Sequence, residues 1–157
     1  MKKLKKCLVV LIVLFSAFVI TGCQSKNIEG SLEKIMERIY SDIPENKRPI
    51  MLQNIELTEE NIEGFIGTTD IKYENALASE PGIGSIAHSV VLIRANSEKD
   101  VSGIKQKIKD NVNPRKWVCV GVEEEDVIIK SKGDLVILIL IDDEQTREKI
   151  EKGFDNL

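Results

Sequence analysis

Residues 135–141 read Leu-Val-Ile-Leu-Ile-Leu-Ile, seven consecutive apolar positions between Asp134 and Asp142. Side chains of a strand alternate between two faces, so a strand that is apolar throughout must be covered on both. Seven residues fall far short of the ~20 needed to cross a bilayer as a helix. The run therefore predicts the most buried strand of a sheet. Val90-Val91-Leu92-Ile93 has the same character and predicts a second central strand within residues 83–95.

The rest of the chain supplies partners for these two strands. Ser31 is a potential N-cap, and Leu32, Ile35, Met36 and Ile39 fall at helical spacing up to Tyr40, before Pro44. Residues 50–57 alternate as a strand. Thr58 should then open a short helix carrying Ile62, Phe65 and Ile66, with Gly67 as its stop. Residues 69–80 read as a strand and Pro81-Gly82 as a turn. Ser97 and Asp100 have capping-box spacing ahead of Val101, Ile104, Ile108 and Val112, an amphipathic helical stripe closed by Pro114. Trp117-Val118-Cys119-Val120-Gly121-Val122 reads as a strand with Cys119 buried in it. Residues 126–130 and 134–141 flank Ser131-Lys132-Gly133 as a hairpin. A charged helix over residues 144–154 has sparse apolar positions, which predicts that it covers a sheet edge or frays. The sum is an α+β class: a single domain with an antiparallel or mixed sheet of about five strands and helices packed mainly on one face.

A separate segment precedes this domain. Lys2, Lys3, Lys5 and Lys6 form a cationic block without acids, followed by 14 residues, Cys7 to Ile20, broken only by Ser16. A basic end and an apolar core of that length describe a secretory signal. The last four positions, Ile20-Thr21-Gly22-Cys23, resemble the lipobox of bacterial lipoproteins. That resemblance implies a diacylglyceryl group on the Cys23 thiol and cleavage of residues 1–22; the short polar run Gln24 to Gly30 then reads as a tether, which with Cys23 spans residues 23–30 and leaves a domain over residues 31–157. The resemblance also implies a location at the extracytoplasmic face of the cell membrane, with the membrane engaged through the lipid on Cys23. The competing reading is an uncleaved signal anchor.

Processing would change the charge. The chain carries 22 basic and 26 acidic residues, a net −4, and loss of the four leader lysines leaves 18 against 26, a net −8 over 135 residues. An acidic chain of that size suits one well-cored domain and argues against binding nucleic acid or anionic headgroups by charge. Two acyl chains would then carry the attachment. Cys23 and Cys119 would be the remaining cysteines, and a lipidated Cys23 leaves Cys119 without a disulfide partner.

The chain offers little catalytic chemistry. His88 is the single histidine, with no His or Cys at metal-ligand spacing around it. It could act as a base for Ser85, Ser89 or Cys119, although residues 88 and 89 of a strand face opposite ways and no Gly-x-Ser-x-Gly elbow exists. Gly82-Ile83-Gly84 precedes a strand, without the helix N-terminus that cradles phosphate. Glu123 to Asp126 and Asp142 to Glu144 are acidic runs without EF-hand spacing, expected to be solvated loops. No metal or cofactor is expected.

The segments Ile86-Ala87-His88-Ser89-Val90-Val91-Leu92, Asn113-Pro114-Arg115-Lys116-Trp117 and Gly133-Asp134-Leu135-Val136 resemble an uncharacterised domain family of lipid-anchored proteins from clostridia-type Gram-positive bacteria. The resemblance implies a single domain and the extracytoplasmic compartment, and no activity. The functional expectation is a non-enzymatic module that binds a protein or small ligand. The alternative is a cell-surface hydrolase using His88 with Cys119 or a serine.

Overall fold

The computed structural model describes residues 27–157. The signal segment, the lipobox residues Ile20, Thr21 and Gly22, and Cys23 lie outside the described residues. Five antiparallel strands form one sheet: β1 (Leu52–Glu56), β2 (Tyr73–Pro81), β3 (His88–Ala95), β4 (Ile128–Lys132) and β5 (Leu135–Ile141), in the order β1-β2-β3-β5-β4. Among the described residues four α-helices accompany them: α1 (Leu32–Ile39), α2 (Glu63–Ile66), α3 (Glu98–Asn111) and α4 (Glu144–Asp155). The α+β class is as expected.

β3 and β5 are neighbours at the centre, paired from His88↔Ile141 to Arg94↔Leu135, and all fifteen of their residues are buried. Alternation divides them between two cores. Val90, Leu92, Leu135, Ile137, Ile139 and Ile141 meet α1 and α4, through residues such as Ile35, Ile39, Ile150 and Phe154. Val91, Ile93, Val136, Leu138 and Leu140 meet α2 and α3, through Ile66, Ile104 and Ile108. Helices therefore cover both faces, correcting the expectation of helices mainly on one. Two strands apolar on both sides leave no alternative, because either bare face would expose a row of aliphatic side chains to water.

Two further expectations are corrected. α4 does not fray, and it covers a face of the sheet as well as reaching its β4 edge, where Lys130 pairs with Glu151 and Asp155. Ile150 and Phe154 are fully buried, worth about 1.5–3 kcal/mol each, and Gly153 brings the helix against the backbone of Ile39. Residues 117–122 form no strand. Both sides of β3 are already taken, and the segment is drawn out of any ladder by polar side-chain bonds described below. Local chemistry at the other ends follows the expected rules: Gly67 closes α2 at φ 82, Gly133 turns the β4–β5 hairpin at φ 59, and Asp143 caps α4 by accepting from the Thr146 amide. At α3 the Ser97 hydroxyl donates to the Asp100 carboxylate, a side-chain version of the anticipated box.

The entry of the chain is held by one buried charge. Arg94, near the end of β3, donates to the carbonyls of Ile28 and Gly30 at 3.0 Å each and pairs with Asp134 at 3.1 Å. Ile28 itself is buried in the α1–α4 core. Residues 28–30, placed in the tether by sequence, are thus part of the folded domain.

Candidate functional site

His88 begins β3 on the face covered by α1, at the opposite end of the strand from Arg94. Tyr40 follows the last turn of α1, and its hydroxyl lies 2.6 Å from His88 Nε2. The rings stand 6.0 Å apart at 43°. Both side chains are buried, and burial dominates their protonation. His88 is pushed down from 6.5 to about 4 by loss of hydration, with the Asp143 carboxylate opposing weakly. Burial pushes the Tyr40 hydroxyl well up, against smaller effects of the Ser79 side chain and the Arg48 charge. At neutral pH this is a hydrogen bond between two uncharged rings.

Arg48 holds the segment that follows Tyr40. Its guanidinium donates to the carbonyls of Ile43 and Tyr40 at 3.1 and 3.0 Å and lies 5.4 Å from the Tyr40 ring centre. On one side of this unit is a cleft of about 460 Å³, lined by Ile43, Lys47, Arg48, His88, Thr146 and Lys149 among others. On the other is a smaller concavity of about 240 Å³ between α1 and β1, lined by Met36, Tyr40, Arg48, Leu52, Asn54 and Ser79. Arg48 lines both hollows, and Tyr40 the smaller one. The larger cleft offers the neutral His88 imidazole, the cations of Lys47, Arg48 and Lys149, the carboxylates of Asp142 and Asp143, the Gln145 amide and the Thr146 hydroxyl, a set that can hydrogen-bond a polar ligand.

The opposite face of the same strand end carries a different cluster. Glu80 accepts from the Trp117 indole at 3.1 Å and pairs with Lys116 at 3.0 Å, both charged side chains being largely buried. Lys116 also lies 3.4 Å from the Ser89 hydroxyl and 4.6 Å above the Phe65 ring. Burial lowers the Lys116 pKa while Glu80 opposes the shift. A serine beside a lysine can be a nucleophile and base, but Ser89 is fully buried and no substrate carbonyl can approach it. The cluster instead pins the loop over residues 112–123 to the sheet.

That loop carries Cys119. The thiol is exposed and its backbone is left-handed at φ 62, which corrects the expected buried strand position. The cause is visible in its neighbours: Lys116 and Trp117 are tied to Glu80, Val118 donates its amide to Gly84 at 2.8 Å, and Gly121 sits tightly against Pro114 and Arg115. The hydrolase alternative needs His88 beside a nucleophile. The structure gives His88 the Tyr40 hydroxyl, turns Ser89 to the far face, and docks the Cys119 loop through that far face as well.

The acidic runs have structural partners. Asp126 pairs with Arg147 at 2.7 Å, Glu123 with Arg115 at 2.6 Å, and Asp143 caps α4. Among the described residues no three His, Cys, Asp or Glu side chains converge to hold a metal ion. Sequence reasoning missed Tyr40, Arg48, Glu80, Lys116 and the Arg94–Asp134 pair. Only Arg94 left a local signal, a charge inside an otherwise apolar strand. No family model, curated protein or solved structure matches the chain.

Proposed function

We propose that the chain is a lipid-anchored extracytoplasmic module that binds a protein or small ligand at the pole of its sheet facing away from the membrane. One observation carries the reading. The Arg94 clasp on Ile28 and Gly30 and the His88–Tyr40 cleft occupy opposite ends of β3, roughly 20 Å apart at ~3.4 Å per residue. From Cys23 to Ile28 an extended chain spans at most about 18 Å. A lipid on Cys23 would hold the clasp end near the bilayer and present the cleft outward. In support of binding over hydrolysis, the His88 imidazole is buried and bonded to a tyrosine, with no serine or thiol beside it among its described hydrogen bonds.

The chain supplies its own test. After loss of residues 1–22 and acylation of Cys23, Cys119 is the one free thiol, and it is exposed. A membrane-impermeant maleimide added to intact cells should label the wild-type protein and spare Cys119→Ser. Labelled fatty acid should enter the wild-type protein and not Cys23→Ala. Fatty acid retained in Cys23→Ala, or labelling that requires lysis, would overturn the reading.

A further inference from the structure

His88 uses one ring nitrogen and leaves the other open. Nε2 meets the Tyr40 hydroxyl at 2.6 Å, and among the described residues Nδ1 has no hydrogen-bond partner. His88 is only 3% exposed, yet no fully enclosed side-chain nitrogen or oxygen of the described residues lacks a partner, so Nδ1 itself reaches solvent. It does so in the cleft of about 460 Å³ that His88 lines.

Tyr40 decides what Nδ1 offers there. A buried O–H has to donate, and His88 Nε2 is the acceptor that this one meets. The Ser79 side chain offsets part of the rise that burial causes in the Tyr40 pKa, which is the effect of a donor to the phenol oxygen. A neutral imidazole that accepts at Nε2 carries its hydrogen on Nδ1. The nitrogen presented to the cleft is therefore a donor, held in place by a ring packed in the core.

The charge around this donor is positive in excess. Lys47, Arg48 and Lys149 line the cleft against Asp142 and Asp143, on a chain whose net charge is −4. Arg48 spends Nε and one Nη on the carbonyls of Ile43 and Tyr40, which leaves it further N–H groups. Lys47 and Lys149 are exposed and form no ion pair among the described residues. Asp143 is committed to the Thr146 amide, so Asp142 is the carboxylate left to oppose an anion.

We propose that the cleft binds a small oxyanion, a carboxylate or a phosphate, with one oxygen accepting from His88 Nδ1–H and its charge met by Lys47, Arg48 and Lys149. The proposal deepens the binding reading of this cleft and rests on it, though not on the lipid at Cys23. Tyr40 is the positioning residue, since its hydroxyl sets which nitrogen carries the hydrogen. A cation would meet three positive side chains and find no lone pair at His88.

The single histidine makes the test direct. In the full chain in detergent micelles with 15N-labelled histidine, the two ring nitrogens give one pair of signals, and at neutral pH the hydrogen should be found on Nδ1. Sodium phosphate and sodium acetate, titrated separately to about 50 mM, should shift Nδ1 saturably with a Kd on the order of 1 mM, and chloride at equal ionic strength should not. The anion that saturates first names the source of the ligand chemistry. Lys47→Gln and Lys149→Gln should each weaken binding about tenfold, the worth of a charge-assisted hydrogen bond. Asp142→Asn should strengthen it about twofold, and Lys109→Gln on α3 should leave it unchanged. Tyr40→Phe keeps the ring and removes the donor, so the hydrogen should leave Nδ1 for Nε2 and the anion shift should fall. A hydrogen on Nε2 in the wild type, no saturable shift with either anion, an equal shift with chloride, or weaker binding in Asp142→Asn would each overturn the proposal. Failure of fatty-acid labelling at Cys23 would overturn the anchor and leave the oxyanion standing, whereas absent shifts beside intact labelling would remove the oxyanion alone.

Discussion

Acidification should weaken the fold through His88. In the unfolded chain this imidazole takes up a proton near pH 6.5, but in the folded protein only near 4. Between those values the unfolded state binds more protons, so stability rises with pH. The contribution is fully present above pH 6.5 and is lost as pH falls towards 4. At about 1.4 kcal/mol per pH unit the window is worth roughly 3 kcal/mol, of which about 2.5 kcal/mol is gone at pH 4.5. Urea unfolding at pH 7.5 and 4.5 measures the total loss. Asp143, whose folded pKa is lowered chiefly by its bonds to Thr146, contributes stability that is likewise lost as pH falls through its folded value. His88→Gln isolates the histidine. Its amide can still meet the Tyr40 hydroxyl, it cannot be protonated, and the carboxylate contribution is common to both proteins. The wild type should lose about 2.5 kcal/mol more than the variant between the two pH values. Losses equal within about 0.5 kcal/mol would mean that His88 is hydrated or charged in the folded state, and the neutral Tyr40–His88 pair would be refuted.

Two glycine substitutions should have opposite signs. A methyl at Gly153 would stand 2.3 Å from the Ile39 carbonyl oxygen, a backbone atom that cannot swing aside. Overpacking of about 1–3 kcal/mol should outweigh the helix-propensity gain of up to ~1 kcal/mol, so Gly153→Ala should lower the urea midpoint. Gly103, inside α3 with open space around it, should gain about 0.5–1 kcal/mol as Gly103→Ala. Asp134→Ala would leave Arg94 buried without its carboxylate and should cost about 3 kcal/mol, read by denaturant unfolding. Replacing both residues by methionine and leucine should recover only part of that loss, because the Ile28 and Gly30 carbonyls would lose their donor.

Much of the fold was legible in short windows. The apolar runs at 90–93 and 135–141 marked β3 and β5 as central, and the spacings in residues 32–39 and 101–108 marked α1 and α3. Gly67 and Gly133 marked a stop and a turn because a left-handed backbone demands the absence of a β-carbon. The same logic contained more than was drawn from it, since strands apolar on both faces require helices on both. The strand expected over 117–122 failed for a different reason. A β-prone sequence becomes a strand only if an edge is free to pair with it, and the bonds of Lys116 and Trp117 to Glu80 hold this one elsewhere.

The candidate site was far less legible. His88 stood out as the single histidine, yet its partner Tyr40 lies 48 residues away, and Arg94 reaches Ile28 across 66. Periodicity reports which face of an element is apolar, because that property repeats within a few residues. It is silent on which side chains meet across a core. By itself the sequence determined the two central strands, most of the helices, the α+β class and the chemistry available. The tertiary structure alone decided that His88 is neutral beneath Tyr40, that Cys119 is exposed, and that Ile28 belongs to the domain. Each of these depends on desolvation or pairing between distant segments, and neither quantity exists until the chain has closed on itself.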